Sequence, residues 1–478
     1  MAEQRSAGRP SAALRRVLVP LALAQFICSF AGSNMNVMIN DISEDLDTTV
    51  QGVQLTITIF LLVMAALMIP GGKLTDRYGR KRCLNAGLAL FGLGALISAF
   101  APGLPALIVG NSFLEGIGTA LLIPPVYILT TLLFAEVTSR ARAFGVINGM
   151  AGIGAATGPL LGGVIATALS WRAAFAFQAL VVLAIVVLSR RDVNDPLPPD
   201  RTRPFDLVGA VLSAAGLVLI VMGILAADDN GWLTAALVVA GLLVLAGFVQ
   251  WVRAREAAGR EALLSMALFR NRASNLGLIT QNIQWLVLMG LSFVVSAFLQ
   301  VVRGYNAIQT GLILTAATVG LLLSSLAAER LAQRRTQRTL IVAGFAVTVA
   351  GIVLFIVLVG LSKDVWAFLP GLFLTGLGIG AMLTPSVNVV QSSFGEDRQG
   401  EISGLSRSVS NLGSSLGAAI AGTILVVQLG TRPGSSYAAA LIVLAALALV
   451  CLVAAAFLPG RPAAATVTEP QSPAHQPS

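Results

Sequence analysis

Residues Gly72 to Lys81 read GKLTDRYGRK: one acid, four cations and two glycines within ten residues, set between two apolar runs. The flanking runs, 53–72 and 83–101, each come close to the roughly 20 residues that an α-helix needs to cross a hydrocarbon core. Irregular backbone cannot face lipid, so a short charged segment between two such runs is expected to be a loop at a membrane surface. The stretch therefore predicts two spanning helices folded back on each other. Whether that is the whole fold depends on how often the chain repeats the pattern.

It repeats it throughout. With 56% hydrophobic residues, 11% charged residues and a mean hydropathy of +0.85, the chain departs from a soluble domain, in which about 25% of residues are charged. Fourteen apolar stretches are expected to span: 17–39, 53–72, 83–101, 104–133, 141–169, 171–189, 207–226, 233–252, 273–302, 306–328, 339–361, 366–393, 401–428 and 437–458. The expected class is an all-α polytopic membrane protein with 14 transmembrane helices. Cys28, Cys83 and Cys451 all fall in or beside apolar runs and form no CxxC, so neither a disulfide framework nor a metal site is expected. The single histidine, His475, lies in a Pro- and Ser-bearing tail, which excludes histidine chemistry from the interior.

A net charge of +9 could signal nucleic acid, so the placement of the cations decides. With the N-terminus cytoplasmic, all of the 31 Lys and Arg fall on the cytoplasmic side except Arg172, Arg303, Lys363, Arg432 and the intramembrane Arg407. That asymmetry follows the positive-inside rule and fits no nucleic-acid patch. Asp41, Glu44, Asp45 and Asp47, with no base among them, mark the first external loop. Both termini are then cytoplasmic, and the first apolar run reads as an uncleaved span.

The expected organisation is a cytoplasmic N-terminal segment 1–16, a six-helix bundle 17–190, a cytoplasmic linker 191–206 broken by Pro196, Pro198, Pro199 and Pro204, an inserted helix pair 207–252, a second linker 253–272, a second six-helix bundle 273–458 and a disordered cytoplasmic tail 459–478. Residues 329–338, ERLAQRRTQR, follow the second span of the second bundle just as GKLTDRYGRK follows the second span of the first. They keep the cations and lose the aspartate and glycines. This weak repeat suggests two related halves.

In the fifth span, Gly145, Gly154, Gly158, Pro159, Gly162 and Gly163 form the pattern Gx8Gx3GPx2GG. Glycines at every fourth position give a smooth face on which another helix backbone can approach, and Pro159 bends the helix. Small-residue packing of that kind occurs in any polytopic protein. Taken together, however, this pattern and GxxxDRxGRK resemble the major facilitator superfamily, and specifically its fourteen-span drug:proton antiporter type. Ser170-Trp171-Arg172, Phe205-Asp206-Leu207-Val208-Gly209, Phe298-Leu299-Gln300, Gly304-Tyr305 and Gln309-Thr310-Gly311 extend the resemblance over nearly the whole chain. It implies the major facilitator fold, two six-helix bundles plus two inserted helices, working as a monomer in the cell membrane. It also implies alternating access that exchanges protons for a small organic substrate, with no cofactor.

The resemblance further implies a gate in which Gly72, Asp76, Arg77, Gly79, Arg80 and Lys81 take part. Asp76 would accept hydrogen bonds at the N-terminus of the thirteenth span, with Arg407 as a candidate partner. On physical grounds alone the same cations would simply hold the segment against anionic headgroups. Glu115 is the only carboxylate expected inside the membrane, where a charge costs about 2.5 to 3.5 kcal/mol on insertion scales. It shares a helix face with Asn111 and Thr119, and is either a proton carrier or a neutral acid that donates a packed hydrogen bond. The family places an arginine where Ser112 stands, a glutamine where Glu115 stands and often an aspartate where Ala31 stands, so coupling has to rest on Glu115 if it is present.

For the substrate cavity the family analogy nominates the first, fourth, ninth and twelfth spans. The candidates are Asn34, Asn111, Gln281, Gln284, Trp285 and Asn388, and each amide has the alternative of bonding only to neighbouring helices. Asn34 and Asn36 lie on opposite faces, so one at most is expected to line it. An apolar cavity with amides, a Trp and one acid would suit lipophilic neutral or singly cationic compounds. ATP-driven pumping is excluded, since Gly72-Lys73 is followed by Leu74 and Leu67 stands where a phosphate loop needs its first glycine. Enzymatic catalysis lacks convergent groups. A carrier that is uncoupled or inward-directed, or a transporter-like sensor, stays open as an alternative.

Overall fold

The structure, a computed structural model, describes residues 12–459 apart from 135–136, 197, 200, 202–203, 227–230, 333–334, 363, 395–398 and 429–432. All but the first residue of the expected tail 459–478 and most of the N-terminal segment 1–16 lie outside the described residues. Fourteen long helices coincide with the expected stretches and are numbered accordingly: α1 Ala12–Asn34, α2 Val50–Tyr78, α3 Arg80–Ala99, α4 Leu104–Leu133, α5 Val137–Ala168, α6 Trp171–Asp192, α7 Leu207–Leu225, α8 Gly231–Ala257, α9 Arg272–Ala297, α10 Ala307–Ala332, α11 Gln337–Leu361, α12 Leu369–Gln391, α13 Gln399–Gln428 and α14 Pro433–Ala455. No strand occurs among the described residues.

By length and apolarity alone, twelve of these helices can cross a membrane, and α5 makes a thirteenth when its two arms, Ala143–Ala155 and Thr157–Ala168, are counted together. The arms meet at 40°. Pro159 accounts for the bend, because its missing N–H leaves the carbonyl of Ala155 without the usual helical donor. α13 is rich in serine. Ser403, Ser406, Ser408, Ser410, Ser414 and Ser415 stud its length, together with Glu401 and Arg407. Among the described residues the long helices number fourteen, of which twelve, or thirteen with α5, meet the length and apolarity of a membrane span.

GKLTDRYGRK is not the loop expected from sequence. α2 continues through Tyr78, α3 begins at Arg80, and only Gly79 lies between them, at φ 97° and ψ 143°. A residue with a Cβ rarely adopts that conformation, so the glycine lets the chain reverse in one residue. Cations expected in a loop therefore sit on the last two turns of α2 and the first turn of α3.

Close backbone approach at glycine organises both halves. A Cβ on Gly154 of α5 would collide with Phe26 O of α1, one on Gly158 with Ser33 Oγ, and one on Gly162 would lie 3.1 Å from Asn34 Cβ. α13 repeats this in the second half, where Gly413 and Gly417 close on Asn282 O and Leu286 O of α9. Lipid tails are as apolar as leucine, so such contacts rather than hydrophobic burial hold membrane helices together. Between the halves, α2 packs on α13 and α5 on α10. The inserted pair packs chiefly on itself, but Leu217, Val221 and Ile224 of α7 also cover Leu62 of α2 and Leu412 and Ala419 of α13. Asp206, 4% exposed, fixes the base of that pair: it caps α7 through Gly209 N at 3.0 Å and accepts from Trp251 Nε1 at 2.9 Å and Leu263 N at 3.1 Å.

Candidate functional site

The charged segment meets the opposite half through Lys73. Lys73 Nζ stands 3.0 Å from Glu401 Oε1 in the first turn of α13. Asp76 accepts from Arg80 Nη2 at 3.2 Å, one turn along the same motif. Arg407 lies with its guanidinium 4.8 Å from the ring centroid of Tyr127 in α4 and donates to the Tyr127 hydroxyl. Thus the N-terminus of α13 is engaged by Lys73, and Arg407 by a tyrosine that sequence reasoning did not single out. Within the motif, Arg77 stacks over Tyr78 at 5.7 Å, and Gly72 has room for a side chain, its nearest neighbour being Pro124 at 3.8 Å. The glycine packed without room is Gly71, where a Cβ would strike Ala120 O.

Gly79, Arg80 and Lys81 bind the linker. Asp195 Oδ2 accepts from Arg80 N at 2.6 Å and from Lys81 N at 3.4 Å, and Lys81 Nζ donates to Arg190 O at 3.2 Å. The linker carboxylate thereby occupies the N-terminus of α3, where unpaired N–H groups and the helix dipole favour an anion.

Glu115 is fully buried at the end of a π-helical turn, Ile108–Glu115, in α4. Asn111 Nδ2 donates to its Oε2 at 3.4 Å, while Oε1 has no partner. Thr119 is on the same face as expected, but its hydroxyl bonds the backbone carbonyl of Glu115 at 2.8 Å. The carboxyl packs inside the first bundle: a Cβ on Gly94 of α3 would lie 2.9 Å from Glu115 Cγ. Ser112, which replaces the family's arginine, donates to Thr56 O of α2 at 2.7 Å.

The amide candidates divide. Asn34 and Gln284 are buried with both amide atoms unpartnered, so their hydrogen-bonding capacity is unspent. Asn36 does not point away from the second half; its Nδ2 reaches Ser292 Oγ at 3.4 Å. Gln281 accepts from Ser406 Oγ at 2.9 Å, the neighbour-helix alternative. Trp285 is half-buried. Asn388 is exposed, and it is Val389 and Val390 of α12 that meet Gly277 of α9.

Several residues that tie the halves were missed. On the face opposite the charged segment, Gln300 Nε2 donates to Asn36 O at 2.9 Å and Gln300 Oε1 accepts from Asn40 N at 3.0 Å. Along α2 and α13, Gln54 Nε2 donates to Ala418 O at 3.1 Å, Ser415 Oγ to Thr58 O at 3.1 Å and Ser408 Oγ to Ala65 O at 2.6 Å. The heptad Glu401, Ser408, Ser415 was the available signal.

The chain matches the family model described as Major Facilitator Superfamily over residues 21–207, 193–418 and 277–478. It is 31% identical to the cephamycin export protein of Amycolatopsis lactamdurans, over 95% of this chain and 93% of that one. It is 30% identical to the puromycin resistance protein of Streptomyces alboniger, over 85% and 81%. With the multidrug efflux pump LfrA of Mycolicibacterium smegmatis the identity is 29%, over 77% and 72%. Among solved structures, a peptide transporter, POT, crystallised in complex with sulfate superposes with a TM-score of 0.63 at 18% identity, over 91% of this chain and 93% of that one. Two glycine-packed halves, an inserted pair and a match along nearly the full length agree: the chain belongs to the Major Facilitator Superfamily.

Proposed function

We propose that this protein is a secondary transporter that exports small amphiphilic organic compounds, drugs among them, by alternating access in exchange for protons. The observation that carries the reading is the pairing of polar ties between the halves on both faces: Lys73 with Glu401 on the face of the charged segment, and Gln300 with Asn36 and Asn40 on the other. Alternating access requires that each set open while the other stays closed. The names of the relatives, which speak of puromycin resistance, cephamycin export and multidrug efflux, support export of organic compounds.

In this reading the charged face is cytoplasmic, as are both termini, and the protein acts as a monomer in the plasma membrane. Asn34 and Gln284, with unspent amides in the first and second halves, contact the substrate, and Glu115 carries the proton. Reconstituted vesicles test it. Efflux of an amphiphilic dye is expected to accelerate when a proton gradient is imposed, and gradient-independent flux would leave the uncoupled carrier in its place.

A further inference from the structure

Of the twelve helices apolar enough to span, α8 is the least buried: 6% of its spanning window lies inside the protein, against 33% or more in the others. Val239, Leu243, Ala246, Gln250, Arg253 and Ala257 are all exposed and follow at alternating intervals of four and three residues. They therefore form one stripe along the helix. The stripe is apolar at Val239 and Leu243 and turns polar at Gln250 and Arg253. From Leu243 to Arg253 it covers about 15 Å of helix, the thickness of one leaflet of hydrocarbon.

A cavity of about 570 Å³ opens at the polar end of that stripe, lined by Arg253, Glu256 and Ala257 of α8 and by Met266, Phe269 and Arg270 of the linker that follows. The linker wall is firmly seated. Leu264 and Leu268 bury against Leu278 of α9, Val390 of α12 and Ile402 and Leu405 of α13. Glu256 Oε1 accepts from Met266 N at 2.9 Å, and Asn271, next to Arg270, caps α9 by accepting from Ala273 N at 2.9 Å and Ser274 N at 3.2 Å. The acid in the lining is thus held by the linker backbone. Arg253 and Arg270, by contrast, are exposed and make no hydrogen bond or ion pair among the described residues. Phe269, 39% exposed, adds an aromatic ring to the same lining.

We propose that this cavity binds an anionic glycerophospholipid of the adjoining leaflet, with its phosphate between Arg253 and Arg270 and an acyl chain along Leu243 and Val239. Two unpaired guanidiniums call for an anion, and each can meet a phosphate with two parallel donors. The apolar stripe decides the source of that anion. A chain laid on Val239 and Leu243 carries its headgroup to the level of Arg253, whereas a free phosphate would leave the stripe unused. A zwitterionic lipid would bring a cation of its own to two arginines. The site depends on α8 spanning the bilayer, and not on the substrate, the coupling or the direction of transport.

The test titrates full-length protein in detergent with dioleoyl phosphatidylglycerol or dioleoyl phosphatidylcholine and counts bound lipid by native mass spectrometry. Phosphatidylglycerol is expected to bind the more tightly. Arg253→Ala combined with Arg270→Ala is expected to weaken it about thirtyfold, from two lost cation contacts, and to leave phosphatidylcholine unchanged. Arg260→Ala combined with Arg272→Ala removes the same charge from exposed positions outside the cavity and should scarcely alter either lipid. All four side chains are exposed, so both double variants should melt with the parent when no lipid is added. Glycerophosphoglycerol, the headgroup without its chains, is expected not to compete at equal concentration. Equal weakening by the two pairs would reduce the site to general attraction by a basic surface, and equal binding of the two lipids would remove its preference for an anion. Competition by the bare headgroup as strong as by the intact lipid would leave an anion site without a chain groove. Any of these three results overturns the proposal.

Discussion

Asp195 Oδ2 lies 2.6 Å from the backbone nitrogen of Arg80, so a residue of the linker caps the helix that the charged segment begins. The geometry explains why that turn holds a glycine: at φ 97° a side chain is strained, and a Cβ on Gly79 would also stand 3.2 Å from Asp195 Oδ2. Lys81 Nζ also donates to Arg190 O in the last turn of α6. Three motif positions thus serve to seat the connection between the halves.

Removing that cap should cost about 1 kcal/mol, the usual worth of an N-cap carboxylate. Asp195→Ala is expected to lower the melting temperature in detergent and Asp195→Asn to restore most of it, since an amide oxygen also caps. Gly79→Ala should cost about 1 to 2 kcal/mol through its backbone alone, and it should do so equally in an Asp195→Ala background. A strictly non-additive pair would show instead that contact with Asp195, not backbone strain, governs the position.

Lys73 and Glu401 are each about a quarter to a third exposed, at 27% and 30% of their side chains. A pair in that setting is worth at most about 1 kcal/mol, so Lys73→Glu should scarcely alter thermal stability. If the pair closes the gate, Lys73→Glu places two acids together and should slow transport several-fold, and the swap Lys73→Glu with Glu401→Lys should recover it. Measured flux that the swap fails to restore would assign Lys73 to headgroup attraction instead.

Apolar periodicity made the helices readable, because lipid forces every spanning backbone to satisfy itself. The glycine face of α5 was equally readable, since its spacing of four places Gly154, Gly158 and Gly162 on α1. What stayed hidden depends on neighbours brought together from distant sequence. That Lys73 meets Glu401 of α13 is decided by helix rotation, which moves a side chain by 100° per residue. Asn388 and Val390 differ in facing for the same reason. Tyr127 and Asp195 carry no motif that marks them, and Gln54 acts on α13 only because Gly422 leaves space for its amide.

Glycine substitutions separate packing from spacing. Gly154→Ala and Gly158→Ala force a methyl into Phe26 O and Ser33 Oγ, and overpacking of that kind costs about 1 to 3 kcal/mol. Gly71→Ala should behave likewise against Ala120 O. Gly72→Ala and Gly145→Ala meet open space or ordinary contact, and thermal unfolding in detergent should show them near the parent or slightly above it, as a helical alanine outperforms glycine. Equal destabilisation at Gly145 and Gly154 would contradict the open space around Gly145.

Glu115 separates proton handling from packing. Its carboxyl is enclosed by α3, bonded by Asn111 at one oxygen and unpartnered at the other. Glu115→Gln preserves shape and the chance to bond Asn111 but cannot take up or release a proton, so a packing role predicts near-parental stability with gradient-driven export intact. Carriage of the proton predicts a different split: the glutamine variant folds, binds dye and exchanges it between vesicle compartments at equal concentration, yet no longer concentrates it when a proton gradient is imposed. Asp76→Asn, which leaves Glu115 in place, is expected to impair both exchange and gradient-driven uptake, because a gating defect slows every route through the protein. Retained gradient-driven accumulation in Glu115→Gln would remove Glu115 as the proton carrier and leave its buried acid to the hydrogen bond with Asn111.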